Sequence, residues 1–282
     1  MALGTLISGC GTVRFAYNIA PDLSHGWLDG YVGFDDTQST LAREQLAAFF
    51  RWHRASQLTT YAQFLARSQS EAREATTPAR ACRWYDDALA HLRPALDAAV
   101  PLATPVVQAF TSKQLQNLER KYGKVNQEFR ETYLQPVPKD RLKASVKRAV
   151  DRAESMYGAL EPAQVERLTR GLAASPFDPE AWLAERVRRQ QDTVKTLRRL
   201  LAEHAPADAV QAALKQLADQ AWHSPDPAYR AYQERLQQYN CGLVAQLHNS
   251  TSREQRLNAV AKLKGWEDDA RALAASGAGA RN

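Results

Sequence analysis

Beyond its first ten residues this chain has no apolar run approaching the roughly 20 residues that a membrane helix needs, so nothing in its body is expected to span a bilayer. Signatures of catalysis are missing as well. There is no GxxxxGK[ST] or GxGxxG loop to cradle phosphate or a dinucleotide, no HExxH pair for zinc, no GxSxG nucleophile elbow and no CxxC. The histidines, at positions 25, 53, 91, 204, 223 and 248, are scattered without metal-ligand spacing. A lone histidine is most often a surface or helix-end residue. Trp222-His223-Ser224 and Arg51-Trp52-His53 look inviting, yet neither has an identifiable carboxylate partner in sequence. No catalytic residue, metal ligand or cofactor is expected, and the chain reads as a non-enzyme.

Glycine is scarce, 13 residues in 282, while Ala, Leu, Arg, Gln and Glu dominate, a mixture with high summed helix propensity. Apolar residues recur at helical spacing. Leu41, Leu46, Phe49, Phe50, Trp52, Leu58, Tyr61, Phe64 and Leu65 cluster on steps of three and four, as do Trp182, Val187, Val194, Leu197 and Leu201. No segment alternates at period two. Breaks fall at Thr76-Thr77-Pro78, Pro101 to Pro105, Pro136-Val137-Pro138, Glu161-Pro162, Pro176 to Pro179, Pro206, Ser224 to Pro227 and Asn249 to Ser252. This punctuation predicts an all-α protein, an elongated array or bundle of about ten mostly antiparallel amphipathic helices. One helical domain is expected over 10–276, with a disordered tail over 277–282. Pro94 should kink the helix starting near Ala79.

Three helix starts share a pentapeptide: Phe34-Asp35-Asp36-Thr37-Gln38, Phe110-Thr111-Ser112-Lys113-Gln114 and Leu160-Glu161-Pro162-Ala163-Gln164. Thr251-Ser252-Arg253-Glu254-Gln255 is a looser fourth. An oxygen-bearing residue at N-cap and Gln at N3 bond each other's backbone amides, so the expected role is a capping box. Such a cap contributes about 1 kcal/mol. The same motif resembles the LTxxQ signature of small periplasmic stress chaperones of the Spy and CpxP type. That resemblance implies a holdase that cradles unfolded clients on a basic, partly apolar surface.

Near the start, Ile7-Ser8-Gly9-Cys10 matches a bacterial lipobox: an aliphatic residue, two small residues, then the cysteine that takes the lipid. The reading is lipidation at Cys10, with 1–9 a truncated signal remnant that lacks the basic n-region; the alternative is an unmodified thiol. Gly11 after the cysteine, rather than Asp, favours the outer membrane, and the expected location is its periplasmic face in the cell envelope. A tether this short would hold the body against lipid headgroups, where Tyr17, Trp27 and Tyr31 could sit as interfacial aromatics. The favoured expectation is that these three, with Phe15, pack into the core. Cys82 and Cys241 remain as an even pair in an oxidising compartment. They either form a disulfide or stay as two separately buried thiols, which is the expectation here.

The chain is basic, with net charge +6, concentrated in Lys139 to Arg152 and Arg186 to Arg199. Asp140, Asp151, Glu185 and Asp192 interrupt both stretches, as in solvated faces of amphipathic helices. Neither stretch carries the interleaved aromatics of a single-strand nucleic-acid binder, so no nucleic-acid partner is expected. Expected partners are the membrane, through an N-terminal lipid, and an unidentified envelope protein or anionic envelope component.

Arg14-Phe15-Ala16-Tyr17-Asn18, Trp27-Leu28-Asp29-Gly30-Tyr31-Val32, Trp52-His53-Arg54 with Leu58-Thr59-Thr60-Tyr61-Ala62, Asn126-Gln127-Glu128-Phe129, Gln255-Arg256-Leu257 and Trp266-Glu267-Asp268-Asp269 occur in this order. Together they resemble DUF6279, a family of uncharacterised proteobacterial lipoproteins. The resemblance implies a helical, lipidated protein and transfers no activity. The expected function is a non-enzymatic binding or scaffolding role in the envelope, with a holdase as the alternative and an envelope hydrolase a distant third.

Overall fold

The computed structural model describes residues 12–278, and every regular element among them is a helix. The lipobox residues Ile7, Ser8, Gly9 and Cys10 lie outside the described residues, as do positions 279–282. The chain opens with α1 (Thr12–Asn18), α2 (Ala20–Val32), α3 (Asp36–Ser56), α4 (Leu58–Glu71), α5 (Pro78–Ala90), α6 (Arg93–Gln108) and α7 (Ser112–Tyr133). It continues with α8 (Pro138–Tyr157), α9 (Pro162–Ala173), α10 (Pro179–Ala202), α11 (Ala207–Trp222), α12 (Pro227–Asn249) and α13 (Arg253–Ala278). Helix α13 thus runs into the stretch expected as a tail.

There are more helices than the expected ten because some breaks carry no proline or glycine. The α3–α4 junction is the single residue Gln57, whose backbone stays in the right-handed helical region. A proline can also start a helix rather than kink one. Pro94 lies in the first turn of α6, where its missing N–H would have had no partner anyway. The expected long kinked helix is therefore two helices. Pro101 and Pro105, expected to interrupt, lie inside α6. They are four residues apart, so their lost hydrogen bonds fall on one side of the helix and the others hold it.

The helices form two halves that repeat one another. In the first, α2 packs on α3 and α7, and α3 on α6; in the second, α8 packs on α9 and α13, and α9 on α12. The halves interlock by exchange: α4 lies along α13 as α10 lies along α7, and α5 meets α12 as α11 meets α6. Two broken helices in the first half, α1 and α2, take the place of unbroken α8. The α1–α2 break is shallow, since Ile19 N–H still bonds Phe15 O and Leu23 N–H bonds Ile19 O.

One core cluster forms where α7, α10 and α11 meet, from Leu115, Leu118, Val194, Leu197, Leu200, Val210 and Ala213. Each fully buried aliphatic side chain of this kind contributes roughly 1.5–3 kcal/mol. A smaller cluster joins Ala153 of α8, Leu168 of α9 and Leu247 of α12.

Between α5 and α12, Cys82 and Cys241 are bonded, with their Cα atoms 5.3 Å apart. The expectation of two separate thiols does not hold. Exchange of α5 into the second half, against α12, brings together cysteines that are 159 positions apart, a proximity no local pattern encodes.

Candidate functional site

The four capping boxes do more than start helices. Gln38 and Gln114, both buried, face each other as a reciprocal amide pair, each Nε2 donating to the other's Oε1. Each also donates to a carbonyl two residues before the other's N-cap: Gln38 Nε2 to Ala109 O at 2.5 Å, and Gln114 Nε2 to Gly33 O at 3.4 Å. Gln164 and Gln255 repeat the arrangement at 2.8 and 2.9 Å, reaching Ser250 O and Ala159 O. Every amide uses both donors and both acceptor positions, because each Oε1 also accepts its own N-cap N–H. The motif that resembles LTxxQ is thus an internal clasp, and its glutamines are turned away from solvent.

A groove of about 780 Å³ opens where α7, α8, α9, α10 and α12 converge. Helix α8 contributes Arg141, Ser145, Arg148 and Arg152, whose steps of four, three and four put them on one face. Its aromatic wall is a ring stack: Tyr133 on Phe129 at 4.5 Å, and Phe129 on Trp182 at 4.7 Å and 15°. Phe177 meets Tyr133 edge-on at 6.5 Å. The Arg148 guanidinium lies 4.4 Å over Tyr133 and donates to Thr132 O and Ser145 Oγ. Arg186 lies 5.7 Å over Trp182. No carboxylate lines the groove, and none of Arg141, Arg148, Arg152 and Arg186 is in an ion pair among the described residues. Both basic stretches were expected to be solvated faces without aromatics. The aromatics come from α7, from Phe177 just before α10 and from the first turn of α10, beyond either stretch.

Most of the second basic stretch is neutralised internally. Arg188 grips the buried Glu185 carboxylate with Nε and Nη2, both at 2.7 Å, and Arg189 Nε adds a bond at 2.9 Å. Burial alone would push that carboxyl up, but hydrogen bonds from Arg188, Arg189 and Ser224 outweigh it and set it at about 2. Ser224 of the Trp222-His223-Ser224 segment is thus fully buried beside a carboxylate that cannot act as a base near neutrality.

The amino-terminal aromatics divide. Phe15 is 67% and Trp27 62% exposed, contrary to the expectation of core packing, and Leu23 between them is exposed too. Phe15, Ile19, Leu23, Trp27 and Tyr31 recur every four residues along nearly continuous α1–α2, and each step advances about 40° about the axis, so the row winds from an exposed face to the core. At its far end Tyr31 packs on Trp27 at 4.7 Å and against the α7–α10–α11 core cluster. Tyr17 points inward. Its hydroxyl shares a 2.8 Å hydrogen bond with His53 Nδ1, and His53 Nε2 meets Tyr61 OH at 3.2 Å. Burial pushes the Tyr17 phenol up to about 12 and the His53 imidazole down.

Other histidines also differ from the surface placement expected of them. His248 is buried, its Nε2 2.8 Å from Glu74 O and its Nδ1 3.0 Å from Tyr157 OH. A carbonyl only accepts, so Nε2 carries the proton and Nδ1 accepts from Tyr157. His25 is buried against Ser39 Oγ at 2.9 Å. No group of three or more His, Cys, Asp or Glu that could hold a metal occurs among the described residues.

A family model described as a family of unknown function, DUF6279, matches residues 30–230. The chain belongs to DUF6279. Its matched span holds Gln38, Gln114 and Gln164, the α8 arginines and the whole ring stack, whereas Arg14–Asn18, Gln255–Leu257 and Trp266–Asp269 fall outside it. No curated protein and no solved structure matches the chain.

In this DUF6279 protein, sequence reading passed over the groove and the pairing of the boxes. One available signal was the Asn three residues after two of the glutamines. Asn117 follows Gln114 and donates to Val32 O at 2.7 Å; Asn258 follows Gln255 and donates to Tyr157 O at 3.1 Å. Each faces a glycine of positive φ, Gly33 at the end of α2 or Gly158 at the end of α8. For the groove the signal was arginine at steps of seven and four in α8.

Proposed function

We propose that this chain is a lipid-anchored envelope protein with a non-enzymatic binding or scaffolding role, lipidated at Cys10 and held on the periplasmic side of the outer membrane. The observation that carries the reading is the exposed stripe of Phe15, Leu23 and Trp27. Phe15 lies five positions after Cys10, a reach of at most about 18 Å, so a lipid on Cys10 would bring that stripe to the headgroup layer. Exposed aromatic and aliphatic side chains gain there what they lack in water. The Cys82–Cys241 disulfide suits an oxidising compartment such as the periplasm. No helix among the described residues is long and apolar enough to cross a membrane, so attachment in this reading is through the lipid.

Fractionation tests it. Cys10→Ser in the full precursor should move the protein from the membrane fraction to the soluble one, and Phe15→Ser with Trp27→Ser should leave it anchored but more open to protease at α1–α2. Retention of Cys10→Ser on membranes would overturn the anchor.

A holdase is the second reading, favoured by the basic, partly apolar groove. Suppression of aggregation of a denatured client at stoichiometric ratio decides it, since no protection removes the reading.

A further inference from the structure

We propose that the groove between α7, α8 and α10 binds a single-chain anionic lipid, its charged head on the arginines and its acyl chain along the apolar floor. This stands whether or not Cys10 carries a lipid. Four arginines line the one groove, and no carboxylate is among its lining residues. Such a cluster repels itself, and an anion relieves that repulsion. Two of the four are already held: Arg148 by Tyr133, Thr132 O and Ser145, and Arg186 over Trp182. A ligand would therefore not have to immobilise them, which favours affinity.

Charge alone would suit inorganic phosphate, but the floor does not. Leu142, Leu172, Leu236 and Phe177 line the same groove, and its volume falls within the roughly 300–1,000 Å³ of small-molecule sites. A nucleotide is disfavoured, because the faces of the stacked rings Phe129 and Tyr133 are taken. Phe129 has a ring on each side, and Tyr133 is covered by Phe129 on one face and Arg148 on the other. What remains open to a ligand is ring edges, the single Phe177 ring and aliphatic side chains, and an acyl chain matches such a surface. The corresponding place in the first half, between α1, α3 and α4, is filled by Tyr17 packed on Phe50 and His53, with Tyr61 behind. One half closes the site with its own side chains, and the other leaves it open and basic.

The test is calorimetric titration of the full chain carrying Cys10→Ser, with each lipid below its critical micelle concentration. Lauroyl lysophosphatidylglycerol and laurate are the two anionic probes. Saturable binding of either supports the proposal, and the tighter one tells a phosphate head from a carboxylate. Lauroyl lysophosphatidylcholine should bind on the order of tenfold more weakly, and glycerol phosphate, which lacks the chain, should not saturate. Arg141→Gln with Arg152→Gln should weaken binding on the order of tenfold, as expected for lost charge-assisted contacts, with an unchanged melting temperature. Should that variant fail to fold, Leu142→Glu, which puts a carboxylate in the floor, should abolish binding. Equal affinity for the zwitterionic lipid, or no saturable binding of either anionic probe, would overturn the proposal. So would tighter binding of a phenylalanine-containing polyglutamate peptide than of both lipids, which would make the groove an acidic-peptide site.

Discussion

Gln38 and Gln114, 76 positions apart, each accept from the other's amide while capping their own helix. Removing one therefore breaks a cap and strands buried donors and acceptors on its partner. A buried polar group left without a partner costs roughly 1–3 kcal/mol. Gln38→Ala and Gln114→Ala should each lower unfolding free energy by about 2–4 kcal/mol. The double variant should lose clearly less than the sum, with a coupling of about 1–3 kcal/mol. Urea denaturation of the four-member cycle checks this; strict additivity would mean that the pair does not act as a unit.

Gly33 and Gly158 allow the approach of the asparagines beside the clasps. A Cβ on Gly33 would lie 2.7 Å from Asn117 Nδ2, and one on Gly158 3.0 Å from Asn258 Nδ2, with φ at +68° and +79°. Alanine is strained at both and would push the asparagine off its carbonyl. We expect Gly33→Ala and Gly158→Ala each to cost about 1–3 kcal/mol. Restoring room with Asn117→Ser in the Gly33→Ala background should recover none of the φ strain, so a full rescue by melting temperature would show that only the contact mattered.

The parts of the fold that were legible are those with a local cause. Composition and period announced helices, and the boxes at Asp35, Thr111 and Glu161 marked three starts where the structure has them. The α3–α4 junction at Gln57 was hidden because no residue there disfavours helix. Pro101 and Pro105 misled for the opposite reason, since packing of α6 on α3 and α11 outweighs local preference. The groove was illegible as a unit. Its arginines lie on α8, its rings on α7 and α10, and the crossing of helices that joins them is a tertiary fact. Exposure of Trp27 was likewise hidden, because a stripe stepping by four drifts away from the core face, and the sequence does not say where burial ends.

The Cys82–Cys241 bridge ties α5 to α12 across the exchanged halves. In the chain-entropy account a loop this long is worth about 4–5 kcal/mol, through the unfolded state. Reduction, or Cys82→Ala with Cys241→Ala, should lower the denaturation midpoint and leave helix content at neutral pH unchanged. Circular dichroism with and without reductant reads both. A large loss of helix before any denaturant is added would show instead that the bridge is needed to hold α5 in place.

Glu185 makes stability depend on acid in a defined window. Its carboxyl sits at about 2 in the folded chain against an ordinary 4.5, because Arg188, Arg189 and Ser224 hold the charged form. Over that interval the unfolded chain binds more protons than the folded one, so stability rises with pH. The contribution is complete above 4.5 and is lost as pH falls towards 2. Glu185→Gln keeps the shape but not the charge, and leaves Arg189 partly buried without a counterion and Arg188 with Asp192 alone. That variant should be the less stable at pH 7, with a shallower dependence between pH 4.5 and 2, and the two proteins should converge at the acid end. Denaturation midpoints measured across that range decide it: parallel curves would mean that Glu185 is not the group whose protonation weakens the fold.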